Sequence, residues 1–173
     1  MSILFKINSK DKFARSGVLK TAHGEVNTPV FMPVGTYGAV KGINPKDLSN
    51  LGSEIILSNT YHLMERPGKD IMASLGGLRS FMGWDGPILT DSGGFQVMSL
   101  QNMAKIDNDG VTFKSHLDGS LIRLTPKDSI DMQKALDSTI TMAFDECTSY
   151  PSTHDLASKS MELSMQWAKV CRK

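Results

Sequence analysis

Cysteine is scarce in this chain of 173 residues: Cys147 and Cys171 are the only two, far apart and in no C-x-x-C. The four histidines, His23, His62, His116 and His154, are scattered as well. A structural zinc site needs about four ligands brought close together, and no segment offers them. Both thiols therefore read as buried and neutral. Also missing is any apolar run of the roughly 18 residues that a membrane-spanning helix needs. The N-terminus lacks the basic-then-apolar order of an export signal, so a cytoplasmic protein with no membrane partner is expected. Neither sign of charge is in excess: 19 Lys and Arg face 18 Asp and Glu, a net charge of +1. That balance gives no bulk sign of a nucleic-acid partner, although a local patch can bind phosphates while acidic residues elsewhere cancel it. The length suffices for one domain with a real core.

What is there centres on residues 87–100, PILTDSGGFQVMSL. Pro87, Ile88, Leu89 and Thr90 follow a turn at Asp85-Gly86 and read as a short buried strand. Asp91, Ser92, Gly93 and Gly94 come where that strand ends. The glycines let the backbone take positive φ and approach a ligand closely. Successive N–H groups in such a turn can form a concave nest for an anion or carbonyl. Phe95 adds a flat apolar face, so the group makes a site for a planar ligand. The plainer reading is a strand, a glycine turn, and Asp91 or Ser92 capping the next helix. The pattern alone leaves both open.

In chain order, residues 1–28 are polar and mixed, with turn signals at Ser16-Gly17 and His23-Gly24. Ile3, Phe5 and Ile7 alternate, which predicts a small antiparallel element. Residues 29–34, PVFMPV, are the first apolar run, ending at Gly35-Thr36. Asn44-Pro45 opens a short helix over 46–51. Residues 53–57 predict a second strand, ending in Ser58-Asn59-Thr60. Pro67-Gly68 opens a helix that Gly76-Gly77 stops. Residues 111–124 read as a hairpin around Asp118-Gly119. Thr125 is a good N-cap, with Pro126 first in a helix through Leu136. Residues 139–144, TITMAF, predict a fourth strand, ending in Asp145-Glu146-Cys147, and a last helix covers 154–172. Strand, polar end and helix thus recur four times, which predicts a parallel sheet with all four polar ends on one face. Ligands sit at that face in such sheets. Four units make half a barrel or an open four-stranded sheet.

At these positions the chain resembles a family. TPVFMPVGT (28–36), LSNTYHL (57–63), RPG (66–68), LTDSGGFQV (89–97) and FDEC (144–147) are similar to the bacterial tRNA-guanine transglycosylases, in order and over nearly the whole chain. The resemblance implies an α/β fold: the N-terminal part of a TIM (β/α)8 barrel, with the small antiparallel N-terminal element and an inserted hairpin. It implies exchange of the wobble guanine of certain tRNAs for a 7-deazaguanine precursor in queuosine biosynthesis. In the family an aspartate attacks the ribose C1′ to give a covalent intermediate, and a second aspartate handles proton transfer. By motif, that second aspartate is Asp91. The base would stack on Phe95 and be read by Asp145, with Ser92, Gly93 and Gly94 in the pocket wall and Val34, Gln96 and Cys147 nearby. An ionised carboxylate suits the N1/N2 edge of such a base because it accepts two hydrogen bonds there.

The sequence also departs from the family. Its nucleophilic aspartate, glycine-rich base loop and CxCxxC…H zinc site do not occur in these residues. Asp137-Ser138-Thr139 stands where G-S-D is usual, and Gln166 where arginine is common. The expectation is therefore the N-terminal portion of one barrel domain over residues 1–173, inactive alone and with no cofactor of its own. Its partners would be tRNA, a 7-deazaguanine base, and a complementing C-terminal polypeptide or a second copy of the chain. Two other readings stay open. One is a non-catalytic paralogue or split-enzyme subunit that binds a base or a partner. The other is a truncated remnant inactive by itself.

Overall fold

The structure is a computed structural model and describes residues 4–100 and 104–172. Its N-terminal part is the antiparallel element expected from the alternation. Strands β1 (Leu4–Asp11), β2 (Ala14–Thr21) and β3 (Gly24–Thr28) pair in that order. Helix α1 (Pro45–Asn50) follows, with Asn44 accepting from the Asp47 N–H as its N-cap.

Next come β4 (Ile56–Ser58), three short helices, α2 (Thr60–Glu65), α3 (Lys69–Ser74) and α4 (Leu78–Met82), and then β5 (Ile88–Thr90). Helix α5 (Gly94–Leu100) leads to a second antiparallel sheet, β6 (Lys105–Asp107), β7 (Gly110–Lys114) and β8 (Leu121–Leu124). On it Arg123 donates to both oxygens of Asp107 at 2.7 and 2.6 Å, which lowers the Asp107 pKa to about 2. Helix α6 (Pro126–Ala135), strand β9 (Ile140–Thr141) and helix α7 (His154–Cys171) complete the order.

The parallel sheet runs β4-β5-β9, in sequence order, with Ile56 opposite Ile88 and Leu89 opposite Ile140. Two expected strands are cut short. Of residues 29–34 only Val34 pairs, in a single parallel bridge to Leu57. Pro29 and Pro33 have no N–H to give a ladder. The Pro33 carbonyl still accepts from Leu57 at 3.0 Å, and Gly35 donates to the Leu57 carbonyl at 2.7 Å. The fourth strand stops at Thr141 and does not run on through Phe144. The hairpin, in turn, gains a third strand in β6. The result is a mixed α/β fold of three small sheets; among the described residues no sheet closes into a barrel.

One face of the parallel sheet is covered. Ile56 and Ile88 pack with Leu48, Met72, Met82 and Met132 from helices α1, α3, α4 and α6. Each such side chain contributes about 1.5–3 kcal/mol relative to exposure. A second cluster joins α2, α5, the β7–β8 pair and α7 through Tyr61, Val97, Phe113, Phe144 and Trp167. Phe144 stacks on Trp167 with ring centroids 5.1 Å apart, which pins the chain just before Asp145. Because β4, β5 and β9 run parallel, their polar ends converge at one edge of the sheet.

Candidate active site at the strand ends

Asp91 follows β5 directly, and its carboxylate accepts four hydrogen bonds. Oδ1 takes the Thr60 N–H at 2.8 Å and the Gly93 N–H at 3.2 Å. Oδ2 takes Gln96 Nε2 at 2.9 Å and the side-chain amide of Asn59. Thr60 also donates its hydroxyl to the Asp91 carbonyl. The polar end of β4 therefore orients the polar end of β5, as the parallel register requires.

The glycine turn behaves differently from the expected nest. The Gly93 N–H goes to Asp91, and the Gly94 N–H goes to Ser92 Oγ at 3.3 Å. These amides are satisfied within the turn and are not bared to a ligand. Ser92 Oγ accepts from the Gly94 N–H at the start of α5, as the capping reading expects, and donates to Asp145 Oδ1 at 3.2 Å. Gly93 sits at φ 81°, where a side chain is strained. A Cβ on Gly94 would come within 2.7 Å of the Asp145 carbonyl oxygen. The second glycine is needed for this close approach and not for its φ.

Asp91, Ser92, Gly93, Phe95, Gln96, Met142, Ala143 and Asp145 line one cavity of about 340 Å³. Phe95, 61% exposed, is the aromatic side chain in that lining. Gly94 lies under the Asp145 carbonyl and outside the lining. Phe95 also borders a second cavity of about 410 Å³, with Glu146, Cys147, Tyr150 and Leu156. Cys147 therefore sits beyond the ring, and Val34 lines neither cavity. The sequence reading left out Met142 and Ala143, which follow the short fourth strand. Asn59 and Thr60 enter the sequence analysis as a polar strand end and within the family-like string LSNTYHL, with no role assigned to either.

Beside Asp91 lies an aromatic and imidazole cluster. His62 contacts the rings of Tyr37 (4.8 Å), Tyr61 (5.2 Å) and His116 (6.0 Å). Burial, and then the neighbouring His116, hold its pKa below the ordinary histidine value. The buried His62 Nδ1 has no hydrogen-bond partner among the described residues. His116 bonds the Tyr61 hydroxyl at 2.8 Å, and Ser115 donates to Glu65 at 2.6 Å.

No three His, Cys, Asp or Glu side chains converge on a metal-sized space among the described residues. The Cys171 thiol is held by the Phe144 N–H at 3.3 Å and contacts the Pro126 carbonyl at 3.8 Å. What the site offers is two carboxylates and an exposed aromatic ring lining one cavity at the ends of parallel strands.

Residues 10–173 match the family model described as queuine tRNA-ribosyltransferase. A queuine tRNA-ribosyltransferase of Granulibacter bethesdensis is 59% identical over 172 residues, covering 99% of this chain and 46% of the relative. One from Psychrobacter cryohalolentis is 56% identical over 169 residues, with 98% and 44% covered. One from Rickettsia felis is 55% identical over 168 residues, with 97% and 46% covered. The chain thus spans less than half the length of these relatives.

Proposed function

The chain belongs to the queuine tRNA-ribosyltransferase family, and on that footing we propose that it is the base-holding N-terminal portion of a tRNA-guanine transglycosylase. Residues 1–173 would form one part of a single barrel domain, acting on tRNA in the cytoplasm. The observation that carries this reading is the cavity lined by Asp91, Asp145 and Phe95.

A guanine or 7-deazaguanine entering the cavity would stack on the exposed face of Phe95. Asp145 would accept the donors of its N1/N2 edge, helped by the Ser92 hydroxyl that orients one oxygen. Asp91 is the proton-transfer group. Both its oxygens are engaged, so it must give up the Asn59 or Gln96 contact to reach a substrate proton. Exchange also needs a nucleophile on the ribose. Asp91 and Asp145 are the only carboxylates among the described lining residues. With one reading the base and the other moving protons, no third is left. We therefore propose that the nucleophile comes from outside these residues, as from a complementing C-terminal polypeptide. The family's zinc does not fit these residues, since Cys171 is tied to the backbone of Phe144 and Cys147 lines the second cavity. No step here depends on a metal. The full engagement of Asp91 is also what a non-catalytic base-binding module would show, and this is the second reading.

A labelled-guanine exchange assay on unmodified cognate tRNA tests the proposal. The purified chain alone should give no turnover above blank. Addition of the C-terminal half of a relative should restore turnover, and Asp91→Asn should abolish it. Turnover by the chain alone, in a preparation free of full-length enzyme, would contradict the missing nucleophile. No restoration by any complementing half would favour the non-catalytic reading.

A further inference from the structure

Gln133 on α6 is fully buried, and its amide is spent on the strand ends. Its Oε1 accepts from the Met142 N–H and from the Thr90 hydroxyl, both at 2.9 Å. Its Nε2 donates to the Met142 carbonyl at 2.9 Å and to Ser129 Oγ at 3.2 Å. Ser129 in turn donates to the Ser92 carbonyl at 2.7 Å. One side chain thus grips the Met142 backbone by both donor and acceptor, the two-point pairing that a neighbouring strand would make. It does so where β9 has ended, at Thr141.

The two anchors lie on the two halves of the cavity. Thr90 immediately precedes Asp91. Met142 lines the cavity itself and lies three residues before Asp145. From this we infer that Gln133 is a positioning residue, which sets the spacing between the Asp91 and Asp145 ends of the cavity. The inference rests on the base-holding reading above. Packing alone does not call for an amide here. A leucine would fill similar volume but would leave the Met142 N–H and carbonyl without these partners.

The test combines site-resolved amide hydrogen exchange with titration of 7-deazaguanine into the intact chain, for wild type, Gln133→Leu and Gln133→Glu. In Gln133→Leu, Met142 should lose about tenfold or more of its protection while Leu57 and Val97 keep theirs. Affinity for 7-deazaguanine should fall about tenfold or more in the same variant. Ionised, Gln133→Glu can accept from the Met142 N–H but has no donor for its carbonyl. Protonated at acid pH, it has both, so Met142 protection should return as pH falls, which a packing role would not produce. Three results would overturn the inference: unchanged Met142 protection in Gln133→Leu, equal loss at Leu57 and Val97, or local loss with base affinity intact. A wild-type chain that binds no 7-deazaguanine would overturn the base-holding reading and the positioning role with it. Met142 exchange would then still show whether the clamp exists.

Discussion

Gly94 leaves the least latitude of any residue in the site. A methyl group there would press on the Asp145 carbonyl at 2.7 Å, and backbone cannot yield as a flexible side chain can. Gly94→Ala should therefore lower unfolding stability by about 1–3 kcal/mol, as read by urea denaturation. It should also weaken 7-deazaguanine binding by displacing the carboxylate. His62 gives a second prediction, on pH. Its folded pKa lies below the ordinary histidine value of 6.5, through burial and the adjacent His116. The unfolded chain then takes up the proton first as pH falls. The stability contribution is whole above that value and is lost as pH drops through it towards the folded pKa. Asp91 and Glu65 oppose the shift without reversing it. Denaturation midpoints should fall between neutral and mildly acid pH, and His62→Gln should flatten that fall. An unchanged slope in the variant would assign the effect to another group.

At the scale of elements, α6 is the piece on which the site depends, because it carries Ser129 and Gln133. Its start is a capping box: the Thr125 side chain accepts from the Asp128 N–H, and Asp128 accepts from the Thr125 N–H. Thr125→Ala should cost about 1 kcal/mol in urea denaturation, with the Met142 amide among those that lose protection. Thr125 and Pro126 were legible in the sequence because caps are local chemistry. So were the antiparallel N-terminal element, the Asp118-Gly119 turn and the parallel order of the strand ends. The lengths of the first and fourth strands were not. Pro29 and Pro33 deny the first its donors. In the fourth, a glutamine from a distant helix replaces a strand partner, and no local pattern announces that. The helices α2 and α4 carry no such signal: α2 is a short piece directly after the end of β4, and α4 is a five-residue piece after the Gly76-Gly77 stop of α3. At the end of α6, Asp137 takes φ 53° where the resembling family has glycine, and pairs with Arg79. That ion pair offsets part of the left-handed strain. In α7 the boundaries were legible but the buried face was not: Trp167 is buried, while Met161 and Met165 are exposed.

At the scale of the whole molecule, one face of the parallel sheet is packed by helices, while Leu57 and Leu89, which alternate with the packed residues, are only half-buried. Val34 is 50% exposed and Met142 46%, on the sheet's two outer segments. Apolar groups beside unpaired strand edges favour pairing with another chain. Sedimentation should therefore show concentration-dependent self-association of the purified chain, suppressed by a complementing half. A strictly monomeric chain at high concentration would argue against that partner. The central claim is narrower: that the cavity at the strand ends reads a guanine-like base through Asp145. Calorimetric titration of the chain with guanine, 7-deazaguanine and adenine tests it most directly. Guanine and 7-deazaguanine should bind, adenine should bind about tenfold or more weaker, and Asp145→Asn should erase that preference. Equal binding of adenine, or an Asp145→Asn variant that discriminates like the wild type, would contradict the account.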